Sequence, residues 1–208
     1  MSAISRSMEA TSARAAGMVA RNRIALPNGV WAMLMLICTE SMLFGGLIGS
    51  YFYLSSQNAH WPPPGIEAPS VPLPLAITCV LLLSAIPMFL AGKAARQGRP
   101  GLTGAFVLSA FLVQAGYLTV QIVLFRHDYL KFTPVDGGSY GSIYFTMLAA
   151  DHAHVLIGLF LDVWLMARIA MGGLTNYRVI ATRAISWYWY FVVLVTLLVT
   201  LTQLSPSL

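Results

Sequence analysis

The sequence predicts an all-α integral membrane protein, a bundle of five transmembrane helices with no sheet and no soluble domain. Three observations carry that prediction. Of the 208 residues, 58% are hydrophobic and only 9% are charged, where a soluble domain carries about 25% charged residues. Five apolar stretches are each long enough to cross a hydrocarbon layer about 30 Å thick. Proline, glycine and charge gather between those stretches.

The elements follow in order. Residues 1–27 contain Arg6, Arg14, Arg21 and Arg23 and no apolar run before Leu26. They read as a cytoplasmic polar arm, not a cleavable signal peptide. Residues 28–204 read as one domain. The first span covers about 28–54, where Pro27 and Asn28 suit a helix start and Tyr51 and Tyr53 suit an interfacial belt. The run Trp61-Pro62-Pro63-Pro64-Gly65, with Pro69, Pro72 and Pro74 beyond it, forbids regular structure. A second span covers 74–94, and Pro87 is expected to kink it. Lys93, Arg96 and Arg99 with Pro100-Gly101 make a tight basic turn. The third span covers 102–125, followed by a polar loop over 126–139 that would hold His127. The fourth covers 141–168. A loop containing Gly172, Gly173, Arg178 and Arg183 leads to the fifth, 184–204. Its opening, Ser186-Trp187-Tyr188-Trp189-Tyr190-Phe191, reads as the aromatic belt of a membrane interface.

Charge placement sets the orientation. Of the 12 Lys and Arg residues, four lie in the arm, three follow the second span and three follow the fourth. These ten share one side, leaving only Arg126 and Lys131 on the other. The positive-inside rule then puts the amino terminus in the cytoplasm. The net charge of +5 therefore reports topology, and a nucleic-acid partner is not expected. Cys38 and Cys79 lie in apolar stretches without CxxC spacing and read as packing residues.

Chemistry-bearing residues stand inside two spans. Glu40 lies 13 residues past Pro27, near mid-membrane at about 1.5 Å per residue. Asp151 is roughly 15 Å into the fourth span by the same measure, with His152 and His154 beside it. An ionisable group at that depth costs on the order of 2.5–3.5 kcal/mol, so it needs a partner, a cavity or a neutral state. Glu40, Phe44, Leu47 and Tyr51 share a helix face, and Ser41, Gly45 and Gly49 form a small-residue stripe read as packing within the bundle. Asp151, His154, Gly158 and Asp162 share a face of the fourth span. Glu40 reads either as a proton-handling or lipid-associated carboxyl or as a structural, hydrogen-bonded one. Asp151 and His154 read as a polar staple or a proton relay, paired with each other and reaching Glu40 across the bundle. Asp162 is expected to face water or Arg168.

Metal chemistry finds no footing. His152 and His154 diverge by about 200° around a helix, no HxxxH or HExxH spacing occurs, and there are four histidines in all. A zinc site or a pair of haem ligands from this chain alone is not expected. No internal repeat supports a secondary transporter.

Three segments resemble subunit III of the haem-copper terminal oxidases, in the five-helix bacterial form that lacks two amino-terminal helices. Thr39-Glu40-Ser41-Met42-Leu43-Phe44 is similar to the family's Ser-Glu-x-x-x-Phe. Tyr140-Gly141-Ser142-Ile143-Tyr144-Phe145, with His154-Val155-Leu156-Ile157-Gly158 downstream, resembles Tyr-Gly-Ser-x-Phe-Phe and His-Val-x-x-Gly. Tyr188-Trp189-Tyr190-Phe191-Val192 resembles Tyr-Trp-His-Phe-Val. Three positions depart: Asp151 and Tyr190 replace family histidines, and Val193 replaces an aspartate.

The resemblance implies an accessory subunit without a catalytic centre, binding neither haem nor metal itself. It would sit in a bacterial inner membrane beside the catalytic subunit I, which holds haem and copper, and beside subunit II. It would bind structural phospholipid between its helices and support stability and proton uptake of a cytochrome c oxidase. Two other readings stand beside it, an accessory subunit of a nitric oxide reductase and a stand-alone proton-coupled transporter using Glu40, Asp151 and His154.

Overall fold

The computed structural model describes residues 28–172 and 174–207; the arm expected over residues 1–27, and Gly173, lie outside them. Among the described residues six α-helices follow in order: α1 (Asn28–Ser56), α2 (Pro72–Leu83), α3 (Ala85–Arg96), α4 (Pro100–Lys131), α5 (Gly138–Ala170) and α6 (Asn176–Leu204), closed by a 3-10 turn over Ser205–Ser207. No strand occurs among the described residues. α2 and α3 are halves of one crossing, so among the described residues five segments are long and apolar enough to span a membrane.

Local chemistry explains the boundaries. Pro87 offers no N–H to the Leu83 carbonyl, so the second crossing breaks ahead of it rather than at it. The break is Ser84, whose N–H donates to the Leu81 carbonyl at 2.9 Å. α3 ends in a Schellman turn, in which Gly98 donates to Ala95 O and Arg99 to Ala94 O, both at 3.1 Å. Gly98 takes the left-handed φ of 68° that this cap demands, and Pro100 then starts α4 where a missing N–H costs nothing. Thr175 caps α6, its hydroxyl accepting from the Arg178 N–H at 3.3 Å.

Two boundaries differ from the expectation. The loop expected over 126–139 is mostly helix: α4 runs on to Lys131 and α5 starts at Gly138, so His127 belongs to the last turns of α4. Charged side chains mark where a helix leaves the bilayer, not where it stops. The short link is tied by Thr133, whose hydroxyl donates to the Asp136 carboxylate at 2.6 Å. That bond and the Thr133 N–H hold the Asp136 carboxyl below its ordinary pKa. Gly137 and Gly141 must lack side chains, because a Cβ on Gly137 would stand 2.7 Å from Gly141 Cα. Likewise α6 begins at Asn176 rather than 184, making Arg178 and Arg183 helical.

α6 is the central helix. In its most apolar stretch 67% of residues are buried, against 6% for α1. It packs on α1, α2, α3 and α5, while α4 closes the outside against α2, α3 and α5. α1 leans only on α5 and α6, which leaves the ring of helices open between α1 and the second crossing. Two expectations fail on that exposed flank. Gly45 and Gly49 have nothing within 4 Å of a built Cβ, and Ser41 is exposed, so the small-residue stripe does not pack within the bundle. Cys38 and Cys79 are exposed thiols, not core residues. Both follow from the number of helices: each outer helix has more apolar surface than its neighbours can cover.

Candidate functional site

The residues singled out on three helices meet at one place. Phe44 and Tyr51 face inward, at 2% and 0% exposure, and bring Glu40 of the same face toward α5. Glu40 Oε2 stands 3.1 Å from His154 Nε2. The Phe44 ring meets the His154 ring edge-on at 4.9 Å and lies 6.4 Å from Phe191 of α6. The other imidazole nitrogen, Nδ1, is 2.7 Å from the Ala150 carbonyl.

That last contact fixes the chemistry. A carbonyl only accepts, so Nδ1 carries a hydrogen and Nε2 faces the carboxyl with either a lone pair or a second hydrogen. Exactly one proton is needed to bond Nε2 to Oε2, and it can reside on either group. Acid with imidazole and carboxylate with imidazolium are both neutral overall, which suits an apolar setting. Side-chain exposures of 12% for His154 and 25% for Glu40 place the pair at the flank of the bundle, not at its centre.

α6 supports the pair from behind. Tyr188 donates its hydroxyl to the His154 backbone carbonyl at 3.0 Å. Gly158 lets the next side chain close in: a Cβ there would meet Trp189 ring carbons at 3.0 Å. Trp189 in turn donates Nε1–H to Ser84 Oγ at 2.9 Å, tying the break in the second crossing to α6. Tyr188 and Trp189 are 2% and 1% exposed, so the expected aromatic belt is core instead. The early start of α6 puts Trp189 about 20 Å along the helix, where its ring packs inside the bundle.

Asp151 does not join His154. Its carboxylate accepts from Thr196 of α6 at 2.6 Å, and Tyr117 of α4 lies within reach. The shared face was read correctly, but α6 offers a closer hydroxyl. Polar contacts continue around it, Gln121 donating to Tyr117 Oη at 2.8 Å and Thr78 Oγ1 standing 3.1 Å from Thr200 Oγ1. The expectation for Asp162 fails outright. It is 1% exposed, with Gln114 beside it but neither oxygen in hydrogen-bond geometry. Arg168, six residues on, turns about 240° away and covers the Trp164 ring at 5.8 Å. His152 packs against Phe125 of α4, centroids 5.7 Å apart.

Thr196 was not singled out from sequence, and Tyr188 was read there only as part of the aromatic run and the family-like segment, not as a partner of His154. One signal was available for Thr196: with Thr200 and Gln203 it makes a polar i, i+4, i+7 stripe, buried throughout. Among the described residues no group of three His, Cys, Asp or Glu side chains could hold a metal ion.

The sequence model of the family described as cytochrome c oxidase subunit III matches residues 11–204. This chain belongs to that family. A Mycobacterium tuberculosis protein named "Probable cytochrome c oxidase subunit 3" is 28% identical over 193 residues, 92% of each chain. Subunit 3 of a Bacillus subtilis cytochrome c oxidase is 29% identical and covers 74% of each chain. Subunit 3 of the cytochrome bo(3) ubiquinol oxidase of Pseudomonas aeruginosa is also 29% identical, over 78% of this chain and 76% of its own. Subunit III membership makes this chain an accessory part of a haem-copper oxidase complex and a multi-pass protein of the bacterial inner membrane. Neither the nitric oxide reductase nor the transporter reading is favoured by these relatives.

Proposed function

We propose that this subunit III packs directly beside the haem- and copper-bearing subunit I, with subunit II in the same complex, and that cytochrome c supplies the electrons. The Glu40–His154 pair is its working part. The single observation behind this reading is the meeting of all three family-like segments on that pair, whose Oε2 and Nε2 atoms stand 3.1 Å apart. A proton that can move between oxygen and nitrogen at no net charge suits a local store near the catalytic subunit, feeding its proton uptake. Phospholipid against the exposed flank of α1 would keep that store in an apolar setting. A quinol donor is the second reading, supported by the ubiquinol oxidase relative.

Purification of the tagged chain in mild detergent is the test. Recovery with a haem-bearing subunit, and reduction of the complex by cytochrome c, are expected. Recovery of the chain alone overturns the accessory role, and reduction by quinol only overturns the donor. In the intact complex Glu40→Gln should slow proton uptake about threefold or more while subunit stoichiometry stays unchanged. Unaltered uptake across the pH range would remove the proton store from the account.

A further inference from the structure

The end of the bundle where α4 and α6 terminate holds a cavity of about 600 Å³, room for a file of waters at about 30 Å³ each. Exposed Glu67, His127 and Lys131, with half-buried Asp128, mark its water-facing side. Two buried polar side chains, Gln121 of α4 and Thr200 of α6, belong to its inner wall.

Hydroxyl groups lead inward from that wall. Thr200 Oγ1 stands 3.1 Å from Thr78 Oγ1 of α2. The Tyr117 hydroxyl of α4 lies beside both Thr78 and Asp151 and accepts from the Gln121 amide at 2.8 Å. With that bond accepted, the Tyr117 hydrogen is left to point at the Asp151 carboxylate. Thr196 of α6 donates to Asp151 Oδ1 at 2.6 Å. Thr78, Tyr117, Asp151 and Thr196 are 0%, 4%, 2% and 0% exposed, so the line runs inside the protein and not along lipid. A hydroxyl both donates and accepts, so a row of them can hand on a proton and end as it began. Around Asp151 the titratable neighbours are Tyr117 of α4 and His152 and His154 of its own helix, while α6 presents Thr196 and α2 Thr78.

We propose that Asp151 is a proton-binding site served from this cavity through Thr200, Thr78 and Tyr117. A proton from cavity water binds Thr200 Oγ1, whose own hydrogen passes to Thr78. Thr78 passes its hydrogen to Tyr117, and Tyr117 passes its hydrogen to the Asp151 carboxylate. Each hydroxyl ends with one hydrogen and the carboxylate becomes an acid; release runs the same steps backward. The line opens at the end opposite the start of α1 and uses neither Glu40 nor His154, so it holds or fails apart from the proposed proton store.

The intact complex in nanodiscs is acidified rapidly and followed by infrared spectroscopy, with Asp151→Asn identifying the protonated-carboxyl stretch of Asp151. Asp151→Glu, which keeps the acid but moves the band, identifies it should the asparagine variant fail to assemble. The band should grow on acidification. Its rate should fall about tenfold or more in Tyr117→Phe, which leaves the Thr196 bond in place. Glu67→Cys carrying a bulky, membrane-impermeant thiol reagent should slow it to a similar degree, with identically treated wild type as the control. Glu40→Gln should leave the rate unchanged. A band that is absent or constant through acidification, a rate untouched by Tyr117→Phe or by the bulky label, or a rate slowed by Glu40→Gln would each overturn the proposal.

Discussion

A carboxyl and an imidazole that face each other in hydrocarbon have few arrangements open to them, and Glu40 with His154 meets the need by pairing at 3.1 Å. The Ala150 carbonyl orients the ring, so the shared proton has a single place to bond. Asp151 solves the same problem differently, through a hydroxyl. Thr196→Val should therefore leave it with a lost donor in a fully buried place and lower stability by about 1–3 kcal/mol. Thr196→Ser should keep most of that stability. Denaturant unfolding in detergent, followed by Trp fluorescence, checks both; a silent Thr196→Val would show that the hydroxyl bond to Asp151 contributes nothing to stability. From sequence alone the depth of Glu40 and His154 was calculable, because it depends only on helical rise within each span. The partner of Asp151 was not, because it depends on how α6 is rotated, which no spacing on α5 records.

Gly158 shows what an element-level constraint looks like. α5 and α6 approach closely where it faces Trp189, and an added methyl would press on ring carbons at 3.0 Å. Trp189 cannot retreat easily, being buried and bonded to Ser84. Gly158→Ala should destabilise the bundle by about 1–3 kcal/mol, as overpacking does, and shift the Trp emission. A silent Gly158→Ala would mean that α6 slides without cost. Helix identity was legible here from apolar run length, whereas helix ends were not. The stretch from 176 onward is polar enough to resemble a loop, yet Thr175 caps it and Arg183 lies over the Trp187 ring at 5.0 Å. The aromatic cluster is core because α6 is packed on four other helices there, and no spacing within the cluster records those neighbours.

For the molecule as a whole, the alternation of five crossings groups Lys93, Arg96 and Arg99 around the α3–α4 turn with Arg168, Arg178 and Arg183 flanking the α5–α6 link, at the end where α1 begins. We propose that this end faces the cytoplasm, following the ten-to-two distribution of Lys and Arg. Alkaline phosphatase fused after Ser207 should be active and green fluorescent protein at the same place dark; the reverse pattern would invert the orientation. The arm over residues 1–27 is proposed to lie on the cytoplasmic side with that end.

The openness of the helix ring beside α1 has a mechanical meaning. Glu40 rides on the helix with the fewest anchors, while His154 is bolted to the interior through Tyr188 and the α5 backbone. A sideways shift of α1 would therefore lengthen the Glu40–His154 separation together with the Phe44 ring contacts to His154 and Phe191.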